Sequence, residues 1–179
     1  MQRTFALNDE AALVICDYGK RERPRIPFPY YAEVMTGFEY AAAVLMLYSG
    51  MVDRGTECIT DIRSRYDGIR RNPWDEAECG HHYARAMAAW SGILALSGFQ
   101  YNGQHRRLTI APRISTRPFQ SFWSTATAWG TFSLDQQGKL TLNVVEGTLP
   151  VSELNGPSRQ MKFDREVLCS PARPLGASI

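Results

Sequence analysis

The sequence lacks a long hydrophobic run, a pair of closely spaced cysteines and an excess of charge of one sign. Its longest unbroken apolar run, residues 40–48, is far shorter than the ~20 residues that a membrane-spanning helix needs. The first ten residues lack the apolar core of a secretory signal peptide. The 4 cysteines are far apart, which favours isolated, reduced thiols over a disulfide framework. These absences predict a soluble, cytoplasmic protein with no transmembrane segment.

The charge balance makes a nucleic-acid partner unexpected. The formal net charge is +2 over 179 residues, and acidic residues interleave with most of the basic clusters, whereas a nucleic-acid interface needs a continuous basic patch. A composition of 44% hydrophobic and 21% charged residues is ordinary for a globular domain with a moderate core.

The sequence divides into a helical first part and a strand-rich second part. Residues 11–18 suggest a short buried strand or extended segment, and apolar periodicity predicts helices at about 31–49, 53–66 and 81–97. The first and third helices are apolar nearly all round, so we expect them to be buried on most sides, with Trp90 in the core.

From about residue 108 onward the pattern changes to short strands. Residues 127–134 and 139–145 predict a hairpin around a turn at 135–138, and residues 148–154 predict a further strand. Trp123 and Trp129 are expected to pack these strands against the helices, although one of them could line the rim of a cleft. The last 25 residues, rich in Pro, Gly, Ser and charge, predict an irregular tail.

Ionisable residues cluster near the starts of the first and third helices. Because consecutive helices joined by short turns run antiparallel, these two helices run parallel and begin on the same side of the molecule. Carboxylates can accept hydrogen bonds from sugar hydroxyls, and an arginine can donate a pair of them. The sequence therefore predicts a sugar site whose binding residues are Glu33, Thr36, Glu76 and Arg85. Trp74, His81 and His82 are expected to line the same subsite.

The spacing of the carboxylates does not favour a hydrolytic pair. Retaining glycoside hydrolysis needs two carboxyl groups roughly 5–5.5 Å apart, whereas Glu76 and Glu78 point to opposite faces if their segment is extended. We therefore assign no catalytic residue. Glu39 lies within an apolar helix and is expected to pair internally with an arginine.

A metal site is the alternative interpretation of the same cluster. The spacing of Glu78, Cys79, His81 and His82 could hold a metal ion, but such spacings are weakly specific and a salt bridge at the helix start is preferred. No metal and no cofactor is predicted.

Four ordered motifs over about 70 residues resemble glycoside hydrolase family 116, which contains non-lysosomal glucosylceramidases and β-glucosidases. The motifs are the segments 29–40, 63–68, 71–88 and 96–99. The resemblance implies a mainly α fold, the C-terminal portion of an (α/α)6 barrel, with a short C-terminal β-hairpin or small antiparallel sheet. It divides the chain into a helical catalytic part (1–107), a β-hairpin appendage (108–155) and an irregular tail (156–179).

The resemblance also implies a retaining β-glucosidase or glucosylceramidase type of activity on a β-glucoside or a related glycoside. Glu76 and Arg85 match positions that bind the glucose hydroxyls in the −1 subsite, and Glu33 matches another sugar-contacting glutamate. Met35 stands where many members have tryptophan, so the resemblance implies that Met35 also lines the subsite. The family's nucleophilic Glu and acid/base Asp lie N-terminal to the matching segment, so we expect this chain to be a C-terminal fragment that is inactive alone. The alternative is a carbohydrate-binding or complementing module that works with a separate N-terminal half.

Overall fold

The computed structural model describes residues 9–26, 31, 34–73 and 87–179. The chain forms two compact units, Met1–Gly92 and Ile93–Ile179. The described residues form three α-helices, which are followed along the chain by eight β-strands.

The first unit is built on a pair of helices, α1 (Thr36–Tyr48) and α2 (Val52–Arg65). The chain reverses at Gly50, whose φ of +82° is a conformation that glycine adopts without steric cost. The two helices bury a small apolar cluster that includes Tyr40, Ala43 and Ile62. These bounds confirm the second predicted helix to within a residue at each end, whereas α1 begins five residues later than the expected start at 31.

Helix α3 (Ala88–Ser97) crosses the division between the two units. It ends at Gly98, as the sequence predicts, and the Gly98 amide donates to the Leu94 carbonyl at 3.1 Å. Gly98 has a φ of +59°, and a Cβ there would lie 1.9 Å from the Ala111 carbonyl oxygen. No other residue type fits this close approach of two backbone segments.

The second unit contains two four-stranded sheets. One sheet has the order β1 (Phe99–Asn102), β2 (Arg107–Ile110), β6 (Leu149–Asn155) and β7 (Gln160–Cys169). The other has the order β3 (Phe119–Ser124), β4 (Ala128–Leu134), β5 (Lys139–Gly147) and β8 (Leu175–Ser178). The β2–β6 pair is parallel, and all other neighbouring strands run antiparallel.

Alternation along the strands places one apolar face of each sheet in a shared core. In β4, for example, Ala128, Phe132 and Leu134 are buried, while Trp129 between them is exposed, because successive side chains of a strand point to opposite faces. The core joins residues of both sheets, including Leu108 and Leu154 from one and Trp123 and Phe132 from the other. The second unit is therefore a β-sandwich with its own core.

The predicted fold class is wrong. We expected the C-terminal portion of an α-helical barrel with a small β appendage, but the described residues form 3 helices and 8 strands in two sheets, and most of the ordered structure is β. The reason is that several strands are short or carry charge and so give a weak alternating signal, whereas the apolar helices give a strong one. The predicted 135–138 hairpin and the strand near 148–154 do form, as β4, β5 and β6.

The residues from 156 onward are not an irregular tail, because they contain β7 and β8. Strand β7 lies at the edge of its sheet and carries four charged residues at 162 and 164–166. Charge on an edge strand prevents pairing with other chains, but it hides the strand pattern in the sequence.

Three further expectations are also corrected. Helices α1 and α3 are not buried on most sides, since Phe38, Leu45, Ile93 and Leu94 are all exposed. Trp90 is not a core residue, because 60% of its surface is exposed. In the segment 11–18 no strand is assigned, and Leu13 and Val14 are exposed.

None of the helices in the described part of the chain has the length and apolar character that a membrane crossing requires. A location in the cytoplasm stays a prediction.

Candidate functional site

Two of the predicted site residues, Met35 and Thr36, lie at the start of α1. Met35 is the residue before the first helical turn, and its carbonyl accepts hydrogen bonds from the amides of Phe38 (3.0 Å) and Glu39 (3.1 Å). Both side chains are buried, and Thr36 is 3% exposed. The Thr36 hydroxyl has no hydrogen-bond partner among the described residues. A buried hydroxyl in this state costs about 1–3 kcal/mol, so this position is open to a hydrogen bond from a ligand or from another part of the chain.

The other predicted site residues lie outside the described part of the structure: Glu33, Trp74, Glu76, His81, His82 and Arg85. Their convergence on the start of α1 therefore stays a prediction. The alternative metal site at Glu78, Cys79, His81 and His82 also lies outside the described residues. Within the described ranges, no group of three or more His, Cys, Asp and Glu side chains could hold a metal ion.

A buried ion pair lies one turn further along α1. Glu39 and Arg65, which are 1% and 0% exposed, form a direct salt bridge between α1 and α2, and this confirms the expected arginine partner. The second carboxylate oxygen of Glu39 accepts a hydrogen bond from the Leu13 amide at 2.9 Å. Arg65 also donates to the Ala11 carbonyl. The pair thus fixes the segment 11–13 on the two helices.

A second arginine fixes the residue before that segment. The Arg71 guanidinium donates hydrogen bonds from both terminal nitrogens to the Glu10 carboxylate, at 2.6 and 2.9 Å. It also donates to the Arg65 carbonyl at 3.2 Å. The hydrogen bonds that Arg71 donates to Glu10 raise the pKa of Arg71 above its usual value. Forked pairing of this kind fixes orientation as well as distance.

The segment 11–13 and the two helices enclose a cleft of about 360 Å³, which is lined by Ala11, Ala12, Leu13, Glu39, Met46, Arg54, Glu57, Cys58 and Asp61. Burial, with smaller contributions from Glu39 and Asp61, raises the pKa of Cys58 to about 11, so this thiol is protonated at neutral pH and is a poor nucleophile. Both carboxylate oxygens of Glu39 already have protein partners. The Cys58 thiol and the Glu39 carboxylate therefore have structural roles in this cleft.

Burial also governs the proton affinity of Glu39. Desolvation raises the pKa of this carboxyl group, and the Leu13 amide and the Arg65 guanidinium only partly offset that effect. A raised carboxyl pKa in a cleft can mark a general acid, but here burial of the carboxyl group between the two helices accounts for the rise.

Sequence reasoning missed an exposed aromatic pair in the second unit. The rings of Phe122 and Trp129 lie 6.2 Å apart, tilted by 42°, and the two side chains are 39% and 42% exposed. Trp123, by contrast, is fully buried and stacks on Phe99 at 5.4 Å within the sandwich core. Strict alternation between buried and exposed positions along β3 and β4 is the signal that could have separated the two tryptophans.

No known family model matches the chain, and no curated protein matches it. One solved structure that the chain resembles is described as "Putative kojibiose phosphorylase from human microbiome", with 10% sequence identity and a TM-score of 0.42. The likeness covers 74% of this chain and 19% of that chain, so this chain spans about a fifth of the length of that protein. A likeness at this level carries no conclusion about activity, and membership of glycoside hydrolase family 116 is not confirmed.

Proposed function

We propose that this chain supplies sugar-binding residues to a β-glucoside-processing enzyme that resembles glycoside hydrolase family 116, and that it does not contain the catalytic carboxylates. The observation that carries the proposal is the set of four ordered motifs in the sequence, because they contain acidic residues and an arginine that we expect at the starts of two helices. The buried hydroxyl of Thr36 at the start of α1, which has no hydrogen-bond partner in the described part of the chain, supports the proposal.

In this proposal each side chain has a role that fits its chemistry. Glu33 and Glu76 accept hydrogen bonds from neighbouring sugar hydroxyls, and Arg85 donates to a sugar oxygen. Thr36 adds a short hydroxyl contact, and Trp74 covers the apolar face of the ring. Met35, His81 and His82 complete the lining of the subsite.

A binding measurement on three variants tests the proposal. Calorimetric titration of the purified chain with methyl β-glucoside should show binding that weakens about tenfold or more in Glu76→Gln and in Arg85→Gln, since a charge-assisted hydrogen bond contributes roughly 1.5–3 kcal/mol. Glu57→Gln is the matched control, because it removes an exposed carboxylate of α2. Equal affinities in all three variants would contradict the proposed site.

A turnover measurement addresses the second half of the proposal. The chain alone should leave a chromogenic β-glucoside intact, because in this proposal it lacks the nucleophilic Glu and the acid/base Asp of glycoside hydrolase family 116. Substantial hydrolysis that disappears in Glu76→Gln would show that the chain contains its own reaction centre, and the proposal would then be wrong.

A complementing module that joins a separate N-terminal half is the second candidate. The favouring observation is an apolar stripe on α1, where Phe38, Leu45 and Tyr48 recur at helical spacing and are all exposed. Exposed stripes of this kind often mark a surface that another protein covers. The two candidates share the same sugar-binding residues and differ in whether the catalytic groups belong to another chain.

A further inference from the structure

From the outer face of the β3–β4–β5 sheet we infer a second carbohydrate site, which takes a soluble, uncharged oligosaccharide on the Phe122–Trp129 pair. The site lies within the second unit and does not depend on the function proposed above. It is built from three adjacent strands whose opposite face forms the sandwich core.

The strand register brings the aromatic pair and several polar side chains onto one surface. Phe122, Thr131 and Asn143 form one row across the three strands, and Ser124, Trp129 and Glu146 form the next. Five of these six residues are exposed, and the sixth, Thr131, is partly buried. Phe122 and Trp129 are thus diagonal neighbours on the surface, and hydroxyl, amide and carboxylate groups surround them.

This combination matches the two-sided chemistry of a pyranose ring. A sugar ring has a face of C–H groups, which bear partial positive charge and favour the negative face of an aromatic ring. Its hydroxyls project from the edge and need hydrogen-bonding partners, which Thr131 and Asn143 supply on one side and Ser124 and Glu146 on the other. Rigid aromatic side chains also lose little conformational entropy on binding.

The charge of the face excludes an anionic ligand. Strands β3, β4 and β5 contain one basic residue, Lys139, which lies four positions along β5 from Asn143. Glu146 places a carboxylate in the same row as Trp129. A single-stranded nucleic acid also stacks on aromatic rings but needs a positively charged groove, so a neutral ligand fits this face better.

The geometry of the rings distinguishes a soluble chain from a flat polysaccharide surface. Because the planes of Phe122 and Trp129 differ by 42°, the two rings cannot both lie flat on one planar crystalline face. They can contact neighbouring sugars of a chain whose units are turned relative to one another. A protein partner of ordinary size needs a far larger contact area than one aromatic pair, about 800 Å² on each side.

The test titrates the full chain with cellopentaose, xylopentaose and maltopentaose, and follows calorimetric heat and tryptophan fluorescence. At least one neutral oligosaccharide should bind with a stoichiometry of one, while a heparin oligosaccharide and microcrystalline cellulose should not bind. Trp129→Ala should weaken binding about tenfold or more because it removes the larger stacking surface. Phe122→Ala and Asn143→Ala should weaken it less, and they keep the test decisive if Trp129→Ala does not fold.

Trp90→Ala is the matched control, because it removes an exposed tryptophan from α3 and should leave the affinity unchanged. Absence of binding to all three oligosaccharides would overturn the inference. Binding that survives Trp129→Ala, Phe122→Ala and Asn143→Ala but disappears in Glu76→Gln would also overturn it, and would assign the sugar to the site proposed above instead. Weaker oligosaccharide binding in Trp129→Ala, together with unchanged binding in Glu76→Gln, would support the site on the Phe122–Trp129 pair.

Discussion

At the scale of single residues, the buried Glu39–Arg65 pair organises the first unit. One carboxylate oxygen bonds Arg65 and the other accepts the Leu13 amide, while Arg65 also donates to Ala11. A buried pair of this kind contributes little net stability compared with apolar residues of the same size, but it is costly to break on one side only. Its main effect is therefore to specify where the segment 11–13 lies.

This arrangement makes Arg65→Met strongly destabilising at neutral pH. The substitution leaves the Glu39 carboxylate buried without its cation, which should lower the free energy of unfolding by about 3–5 kcal/mol. This loss of stability should become smaller as the pH falls towards 4.5, the ordinary pKa of a glutamic acid, because a protonated Glu39 needs no cation. Burial raises the pKa of Glu39 in the folded state, so the folded chain takes up a proton more readily than the unfolded chain. The contribution of Glu39 protonation to stability is therefore present at low pH and is lost as the pH rises through the raised pKa of the folded state.

Urea unfolding of the parent chain, Arg65→Met and the double variant Glu39→Leu/Arg65→Met, each measured at several pH values, checks this prediction. The double variant is the matched control, because it removes both charges and should be far less destabilised than Arg65→Met at neutral pH. A loss in Arg65→Met that does not change with pH would show that the uncompensated Glu39 charge is not its cause.

At the scale of elements, α1 and α2 approach each other at Gly55. A Cβ at this position would lie 2.8 Å from the Cγ of Leu47 and 2.9 Å from the Ala43 carbonyl oxygen. The second contact is with backbone, which cannot move aside without shifting the helix. Gly55 is therefore required by packing, although glycine is a poor helix former.

Gly55→Ala should consequently destabilise the chain. Helix propensity alone predicts a gain of about 1 kcal/mol, but overpacking at the helix contact should cost about 1–3 kcal/mol, so the free energy of unfolding should fall. Gly92→Ala in α3 is the matched control, since its Cβ would meet the flexible end of Ile59 at 3.4 Å. Urea unfolding of both variants, monitored by the helical circular dichroism signal, checks this prediction. A stabilised Gly55→Ala variant would contradict the close packing of α1 and α2.

The elements also show which parts of the fold the sequence could reveal. Helix α2 and the β4–β5 hairpin could be predicted because their patterns are local: an amphipathic stripe in one case, and two alternating segments around a turn ending at Gly138 in the other. Strands β1 and β2 could not, since each has four residues and too few positions to show alternation. Their place in the sheet depends on pairing with a strand more than forty residues away.

At the scale of the whole molecule, the helical barrel that the family resemblance implies is wrong. The four motifs that carry the resemblance lie between residues 29 and 99, so they carry no information about the strand-rich second half. An apolar helix indicates burial but not the element that covers it, so α1 and α3 are no evidence against a barrel, which the described residues do not form. The predicted sugar site stays a prediction, since the structure describes Met35 and Thr36 but not Glu76 or Arg85. The Phe122–Trp129 pair became visible only when the strand register was known.

The β-sandwich should fold without the first unit. Residues 93–179 retain every strand that the structure describes and the whole sandwich core. They also retain the hydrogen bonds from the Gly98 amide to the Leu94 carbonyl and from the Arg113 amide to the Leu96 carbonyl. Expressed alone, this segment should give a β-type circular dichroism spectrum and a single cooperative unfolding transition in urea. Phe132→Ala, at a fully buried core position, should lower its free energy of unfolding by about 3–5 kcal/mol. Leu168→Ala, at an exposed position of β7, should change it by less than about 0.5 kcal/mol. A broad transition that neither substitution shifts would mean that the sandwich needs the first unit to fold.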